Sequence, residues 1–411
     1  MTKSSFVIRT IAKRVLPLVA LACSAMASEG KADDTLLSSN ALFYDRLVRL
    51  EHHINAGERG TIIAAGTAAA PAGGLQVGIF KSDAAGTSFS PLSNIIDPDF
   101  ATGLCCGTLY ELPQQIGSLR PGTLLWAGSV GQNTTPKLMK IKVYRSEDGG
   151  ASWSYLSEVT TPLTGGLWEP EFTVAADGAL VMFFSDQTEQ TLYTQTLKQV
   201  RTYDGLHWQD MIHVVASPVH ADAPGMAVVR PLSDGRWMMT YEFGGPAHQW
   251  IAHYRLSHDG WNWGDAQDLG TAIQLPTGAF PAHTPTFTVM RGGAIVLAAQ
   301  LIENPGALAT GLESLSPLNG QVLLVNRSGR PEMPWTTMTA PVPVPDACEH
   351  NCPTPTNTKK RIPSSCPNYS SPLLSTDDGR AVLEFASDWL IGADGRYACL
   401  TSYGTTHFDD R

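Results

Sequence analysis

Six segments of this 411-residue chain repeat one pattern: an apolar run, a turn glycine and a second apolar run. The second runs read Gly60-Thr-Ile-Ile-Ala-Ala, Gly122-Thr-Leu-Leu-Trp-Ala, Gly178-Ala-Leu-Val-Met-Phe, Gly235-Arg-Trp-Met-Met-Thr, Gly293-Ala-Ile-Val-Leu-Ala and Gly379-Arg-Ala-Val-Leu-Glu. Successive turn glycines lie 62, 56, 57, 58 and 86 residues apart. Self-similarity at a fixed period signals an array of like units. Each unit has room for four short strands, which predicts one propeller blade per unit. The expected fold is all-β: a six-bladed β-propeller over residues 28–411, in one domain. The last interval is long because Pro341 to Pro367 is a Pro- and Cys-rich insertion. Closing the ring needs a strand from the N-terminal side, expected around Leu37 to Phe43, beside the last run at Tyr397–Tyr403.

Each unit is then expected to carry a second turn. Ser146-Glu-Asp148-Gly-Gly150-Ala-Ser-Trp153 has the form Ser-x-Asp-x-Gly-x-x-Trp. The Asp carboxylate can accept N–H groups of its own turn, Gly takes the φ that other residues resist, and Trp packs between sheets. Thr202-Tyr-Asp204-Gly-Leu-His-Trp208 and Ser257-His-Asp259-Gly-Trp-Asn-Trp263 are looser copies, and Ser82 to Phe89 is a remnant. These turns are structural, so no catalysis is assigned to them.

Basic residues Lys3, Arg9, Lys13 and Arg14 precede the apolar run Val15–Ala22 and then Ala25-Met26-Ala27. This layout predicts a signal peptide, residues 1–27, and a secreted or periplasmic protein. Lipidation at Cys23 is the less favoured alternative, because Ala20 stands where Leu is preferred. Six other cysteines remain: Cys105, Cys106, Cys348, Cys352, Cys366 and Cys399. In an exported chain an even count reads as disulfides. The last four are expected to tie the insertion to the sixth unit, while adjacent Cys105 and Cys106 pair with each other or with separate partners. A net charge of −10 argues against a nucleic-acid partner. No stretch of the mature chain is apolar enough to span a membrane. A monomer without metal or cofactor is expected.

In a propeller the first strand of each blade lines the central channel. Trp168-Glu169-Pro170-Glu171-Phe172 opens one such strand. Carboxylates there are costly unless solvated or used, and strand alternation would put Glu169 and Glu171 on one face. Two like charges raise at least one pKa, which suits acid–base chemistry. The plain alternative is a strand cap or an arginine partner, and it weighs more for Glu171 than for Glu169. Tyr241-Glu242 ends an apolar strand one unit further on. Glycoside hydrolysis needs two carboxyls flanking one bond, and Glu169 and Glu242 can supply them. Arg46 is a candidate to bind a hydroxyl or steady a carboxylate. Trp168, Glu171, Tyr241 and Asp222 are further candidates for the pocket wall. His52-His53 reads as a solvated pair, and no Ser-His-Asp, P-loop or His-Glu-x-x-His pattern is present.

These residues carry a resemblance. Gly166-Leu-Trp168-Glu169-Pro170, the run Ala176-Asp-Gly178 to Asp186, Pro224-Gly-Met226-Ala-Val-Val and Tyr241-Glu242 resemble sialidase-like propellers with Asp-box turns, and within them the exo-arabinanases of glycoside hydrolase family 93. The resemblance implies an oligo- or polysaccharide substrate, a retaining mechanism on terminal α-1,5-linked arabinan, release of arabinobiose, and Glu169 and Glu242 as the catalytic pair. Glu171, the vicinal cysteines and the insertion depart from the family pattern. A sialidase is the alternative enzyme; the Arg361-Ile-Pro needed for it sits in the insertion rather than on the first unit. A carbohydrate-binding propeller without catalysis is the alternative from another class.

Overall fold

Strands, not helices, are what the alternating apolar runs produce. The computed structural model describes residues 35–83, 86–303, 314–344, 366, 368–376, 378–392, 395 and 397–408. From Ala32 onward the chain forms a single contact unit. Antiparallel four-stranded sheets repeat along it. The first runs Leu42–Arg49, Ile62–Ala69, Leu75–Ser82 and Phe89–Ile95; the second runs Leu104–Glu111, Leu124–Val130, Lys140–Ser146 and Ser154–Val159. The third is Leu167–Val174, Leu180–Asp186, Thr196–Thr202 and Gln209–Val215. A nine-stranded sheet follows, whose two halves meet through one residue pair, Ile251 with Ala282. The last sheet holds Leu373–Ser375, Ala381–Ile391 and Tyr397–His407, with Thr35–Leu36 added at its edge.

That added strand is the ring closure anticipated from the N-terminal side, but it lies earlier than expected. Thr35 pairs with Tyr403 and Leu36 with Ser402, while Leu42 and Phe43 belong to the first inner strand. The turn glycines behave as expected: Gly60, Gly122, Gly178, Gly235, Gly293 and Gly379 have φ of 91°, 83°, 85°, 85°, 91° and 73°, a region L-side chains avoid.

The inner strands of the sheets are largely buried on both faces. In Leu180–Asp186, Leu180, Met182 and Phe184 enter the core shared with the second sheet. Val181 and Phe183 enter the core shared with the following sheet. Two-residue periodicity sends alternate side chains to opposite faces, so a strand covered on both sides reads as an unbroken apolar run. Comparable cores lie between every successive pair, and the last sheet packs back on the first through Phe385, Tyr403, Leu42 and Phe80. Burying one such side chain contributes roughly 1.5–3 kcal/mol.

The Ser146 turn works as its residues suggest. Ser146 Oγ donates to Asp148 at 2.8 Å, Asp148 accepts the Ser152 N–H at 2.9 Å, and Trp153 Nε1 donates to Gly150 O at 3.0 Å. Asp204 and Asp259 accept N–H groups of their own turns in the same way.

The inner strands neighbour one another in a cycle. Leu42–Arg49 lies against Leu104–Glu111, then come Leu167–Val174, Ala223–Pro231, Phe280–Val289 and Leu373–Ser375, which returns to Leu42–Arg49. In each of the first five the ladder slips by a bulge near the strand's beginning: between Phe43 and Arg46, Cys105 and Thr108, Trp168 and Glu171, Gly225 and Val228, and Ala282 and Thr286. The bulges hold non-glycine residues in left-handed backbone: Tyr44 at 59°, Cys106 at 59°, Glu169 at 56°, Met226 at 57° and His283 at 54°. Ser370, just before the last inner strand, has φ 58°. Such residues are strained by about 1–3 kcal/mol each and persist where their surroundings hold them, commonly at functional sites.

Cys105 is disulfide-bonded to Cys106, and Cys366 to Cys399. Residues 1–27, expected to be a signal peptide, lie outside the described residues, as do Cys348, Cys352, Arg361 and most of the 341–367 insertion; Cys23 is among the former. The described part of the insertion is ordered against the last two sheets: Val342 N donates to Glu384 at 3.0 Å and Val344 N to Gly320 O at 2.8 Å. Among the described residues no helix is long and apolar enough to cross a membrane.

Candidate active site

The bulges sit near the beginnings of the inner strands, so their residues gather at one end of the cycle. Glu169 is there because the bulge between Trp168 and Glu171 turns it out of the ladder. The Ser185 hydroxyl donates to Glu169 Oε2 at 2.6 Å and accepts the Met226 N–H at 3.1 Å. Ser185 comes from the neighbouring strand, opposite Trp168. Burial raises the Glu169 pKa; the Ser185 hydroxyl, the Met226 N–H and the Arg46 charge pull it back.

Glu242 ends the Trp237–Gly244 strand, opposite Gly225, and is buried. Its Oε2 accepts the Thr284 N–H at 2.9 Å, from the bulge of the next inner strand. Burial, with the Glu169 charge adding to it, raises its pKa to about 8, against the Thr284 bond. Glu242 therefore senses the charge of Glu169 and is protonated at neutral pH.

Arg46 bridges the first and last inner strands. Its guanidinium donates to Asp45 O at 2.7 Å, Ser370 O at 3.2 Å and Ser370 Oγ at 3.0 Å, and lies 4.0 Å from the Tyr44 ring centre. Tyr44 and Tyr369 meet edge to face at 6.5 Å, and Tyr369 Oη donates to Met226 Sδ at 3.6 Å. Burial raises both phenols; the Glu242 and Glu169 charges add to this at Tyr369, and the Glu169 charge at Tyr44. Both remain neutral phenols. His283 is held neutral by burial, its pKa lowered to about 4, and its Nδ1 has no partner among the described residues.

The structure thus brings Glu169, Glu242 and Arg46 together and separates other candidates from them. Glu171 does not share a face with Glu169, because the bulge between them breaks the alternation. It is buried, paired with Arg230, and accepts from Thr108 Oγ1 at 3.0 Å. The ion-pair alternative describes it, not the pocket wall. Tyr241 is fully buried between sheets with its hydroxyl on Leu269 O at 2.6 Å. Asp222 is enclosed too, accepting from Ser217 Oγ at 2.5 Å with His248 Nε2 at 3.3 Å. Trp168 stays half-buried, its Nε1 on Gln187 at 2.9 Å and Lys137 Nζ 4.5 Å from its ring centre.

Sequence reasoning missed Tyr44, Ser185, His283, Thr284 and Tyr369 as site residues. The signal available was their position at the starts of inner strands, or opposite one in the case of Ser185. The second inner strand begins at Leu104, which carries Cys105 and Cys106 to the channel. Among the described residues no group of three or more His, Cys, Asp or Glu side chains could hold a metal. A cavity of about 370 Å³ is lined by Arg49, Arg59, Arg291 and Glu51, without paired carboxyls.

No protein-family model matches the chain, and no curated protein matches it in sequence. Solved structures do match in shape. An α-L-arabinanase of Penicillium chrysogenum, complexed with arabinobiose, superposes with a TM-score of 0.69 at 23% identity, covering 91% of this chain and 97% of its own. The chain has the fold of the family 93 arabinanases. The family 93 α-L-arabinofuranosidase of Fusarium graminearum, with arabinobiose, gives 0.66 at 21% identity, covering 91% and 97%. A Hadza microbial sialidase gives 0.55 at 11% identity, covering 90% of this chain and 66% of its own. The β-propeller anticipated from the repeats is therefore the fold, of the sialidase type that the resemblance implied.

Proposed function

We propose that this protein is an exported, exo-acting glycoside hydrolase built on six blades, with Glu169 and Glu242 as its catalytic pair. Six blades follow if the nine-stranded sheet is read as two units joined by the Ile251–Ala282 pair. The observation that carries the activity is the asymmetry of the carboxyls. Glu242 is held protonated with a pKa of about 8, while Glu169, also raised by burial, is drawn back by the Ser185 hydroxyl and the Arg46 charge. Pairs whose environments push their pKa values apart divide acid from base.

In the proposed cycle Glu242 protonates the leaving oxygen as the glycosidic bond breaks. Glu169 forms the covalent glycosyl ester. Glu242, now ionised, takes a proton from water, whose oxygen displaces Glu169 and returns it as a carboxylate. Configuration at the anomeric carbon is retained. Arg46 and Tyr44 steady Glu169, and Trp168 offers an aromatic face nearby.

The substrate proposed is terminal α-1,5-linked arabinan, as the resemblance implies and as the arabinobiose-bound structures of the same fold support. A sialidase needs arginines to hold a carboxylate. Arg46, the arginine at these glutamates, already donates to Asp45 and Ser370. The two disulfides support export into an oxidising compartment.

Incubating the mature protein with linear arabinan, arabino-oligosaccharides and sialyl-lactose, and identifying the products, tests this reading. Arabinobiose from chain ends is expected. Released sialic acid, or binding without turnover, overturns it.

A further inference from the structure

The Cys105–Cys106 disulfide lies at the second inner-strand bulge, the position that holds Tyr44, Glu169 and Met226 in the neighbouring strands. Cys106 packs with Tyr44 and Met226, and Cys105 and Tyr369 border the same cluster. Tyr369 senses the charges of both Glu242 and Glu169, and Tyr44 that of Glu169. The cluster is thus an apolar wall beside the carboxyl pair. Cys105 keeps part of its surface open.

Neither loop constraint nor core packing accounts for a bond at this place. A bridge between adjacent residues closes no loop, so it removes little unfolded-state entropy. It also sits apart from the large cores between the sheets, in a cluster of its own. What the bond does do is fuse two side chains into one rigid, polarisable, apolar surface. Sulfur is soft and makes favourable contacts with apolar and aromatic groups, and a bonded pair has no free thiol to be solvated.

We infer that the Cys105–Cys106 disulfide is a substrate-binding surface. With Met226 and the Tyr44 and Tyr369 rings, it seats the C–H face of the sugar held between Glu169 and Glu242. This inference rests on the glycosidase reading and sharpens its substrate class. Phenols held neutral and a sulfur wall suit a small uncharged sugar with an apolar face, such as a pentofuranose. They suit poorly a sugar bearing a carboxylate.

Loss of a contact made equally in the ground and transition states raises KM and leaves kcat in place. The Cys105→Ser/Cys106→Ser double variant should raise KM for arabino-oligosaccharides by about tenfold or more, the scale of one lost apolar contact in a sugar-sized pocket. Its kcat should stay within about threefold.

A second measurement on wild-type protein does not depend on the variant folding. Phosphine reduction of Cys105–Cys106 is followed by alkylation and peptide mass, with buried Cys366–Cys399 as the internal reference. Saturating arabino-oligosaccharide should slow reduction of the first bond and leave the second unchanged. Unchanged KM in a folded double variant, or equal reduction rates of Cys105–Cys106 with and without saccharide, overturns the inference while the glycosidase reading stands. If the wild type neither binds nor cleaves any neutral oligosaccharide, the glycosidase reading falls and this inference falls with it.

Discussion

Ser185 Oγ stands between two inner-strand bulges, donating to Glu169 Oε2 at 2.6 Å while accepting the Met226 N–H at 3.1 Å. One hydroxyl therefore ties the orientation of the proposed nucleophile to the backbone of the next sheet. Ser185 is fully buried, so no water replaces it. Ser185→Ala should leave the fold intact and lower kcat/KM by about tenfold or more, the worth of a hydrogen bond to a charged group. The acid limb of the pH profile should also move upward, since this bond lowers the Glu169 pKa. Steady-state kinetics across pH on arabino-oligosaccharide checks both.

The alkaline limb belongs to Glu242. Its pKa of about 8 means that the acid is present at neutral pH and is lost as the pH rises through that value. Activity should therefore fall above about pH 8. In Glu169→Gln, which removes the neighbouring charge, the pKa of Glu242 should drop, because Glu169 is one of the causes that raise it. Carboxyl titration by infrared difference or NMR reads the shift in that inactive variant.

Glu384 makes a stability prediction away from the site. It is buried, accepts the Val342 N–H at 3.0 Å, and burial raises its pKa to about 8. A carboxyl whose folded pKa is raised binds its proton more tightly in the native state. Its contribution is present in full below its ordinary value of 4.5 and is lost as the pH rises through about 8. Thermal stability should decline across that window, and Glu384→Gln should flatten the decline while still accepting from Val342. Melting curves between these pH values measure it.

Arg230 and Glu171 form a buried pair in which Glu171 is the enclosed member. Arg230→Ala leaves that carboxylate with Thr108 alone and should destabilise by about 3 kcal/mol, the low end for a broken buried pair because Arg230 keeps some solvent. Arg230→Met with Glu171→Gln should recover most of the loss. Denaturant unfolding of the single and double variants is the check.

The repeats made the fold legible because they report local chemistry: glycine where φ is positive, an apolar run where a strand is covered on both faces. The site was legible only in part. Glu169, Glu242 and Arg46 were visible as charged residues on apolar strands, and the structure gathers them. Glu171 and Tyr241 were candidates on the same grounds, Glu171 the weaker of the two glutamates on its strand. Strand alternation assigns Glu169 and Glu171 to one face, and one inserted bulge residue breaks that assignment. Tyr241 adjoins Glu242, yet period two sends it into the core between sheets. A bulge depends on how a neighbouring strand pairs, and Tyr44, Cys106 and His283 owe their positions to bulges.

The most direct test of the central claim is the anomeric configuration of the glycosyl azide formed when azide rescues Glu169→Gln and Glu242→Gln, read by NMR on an arabinofuranoside with an activated leaving group. Both variants should fold normally and lose turnover by orders of magnitude on oligosaccharide. Rescue of Glu242→Gln should give the retained azide, because Glu169 still forms the ester that azide displaces. Rescue of Glu169→Gln should give the inverted azide, because azide attacks the substrate itself. Near wild-type turnover by both variants on the oligosaccharide would contradict the assignment and place the chemistry elsewhere on the channel.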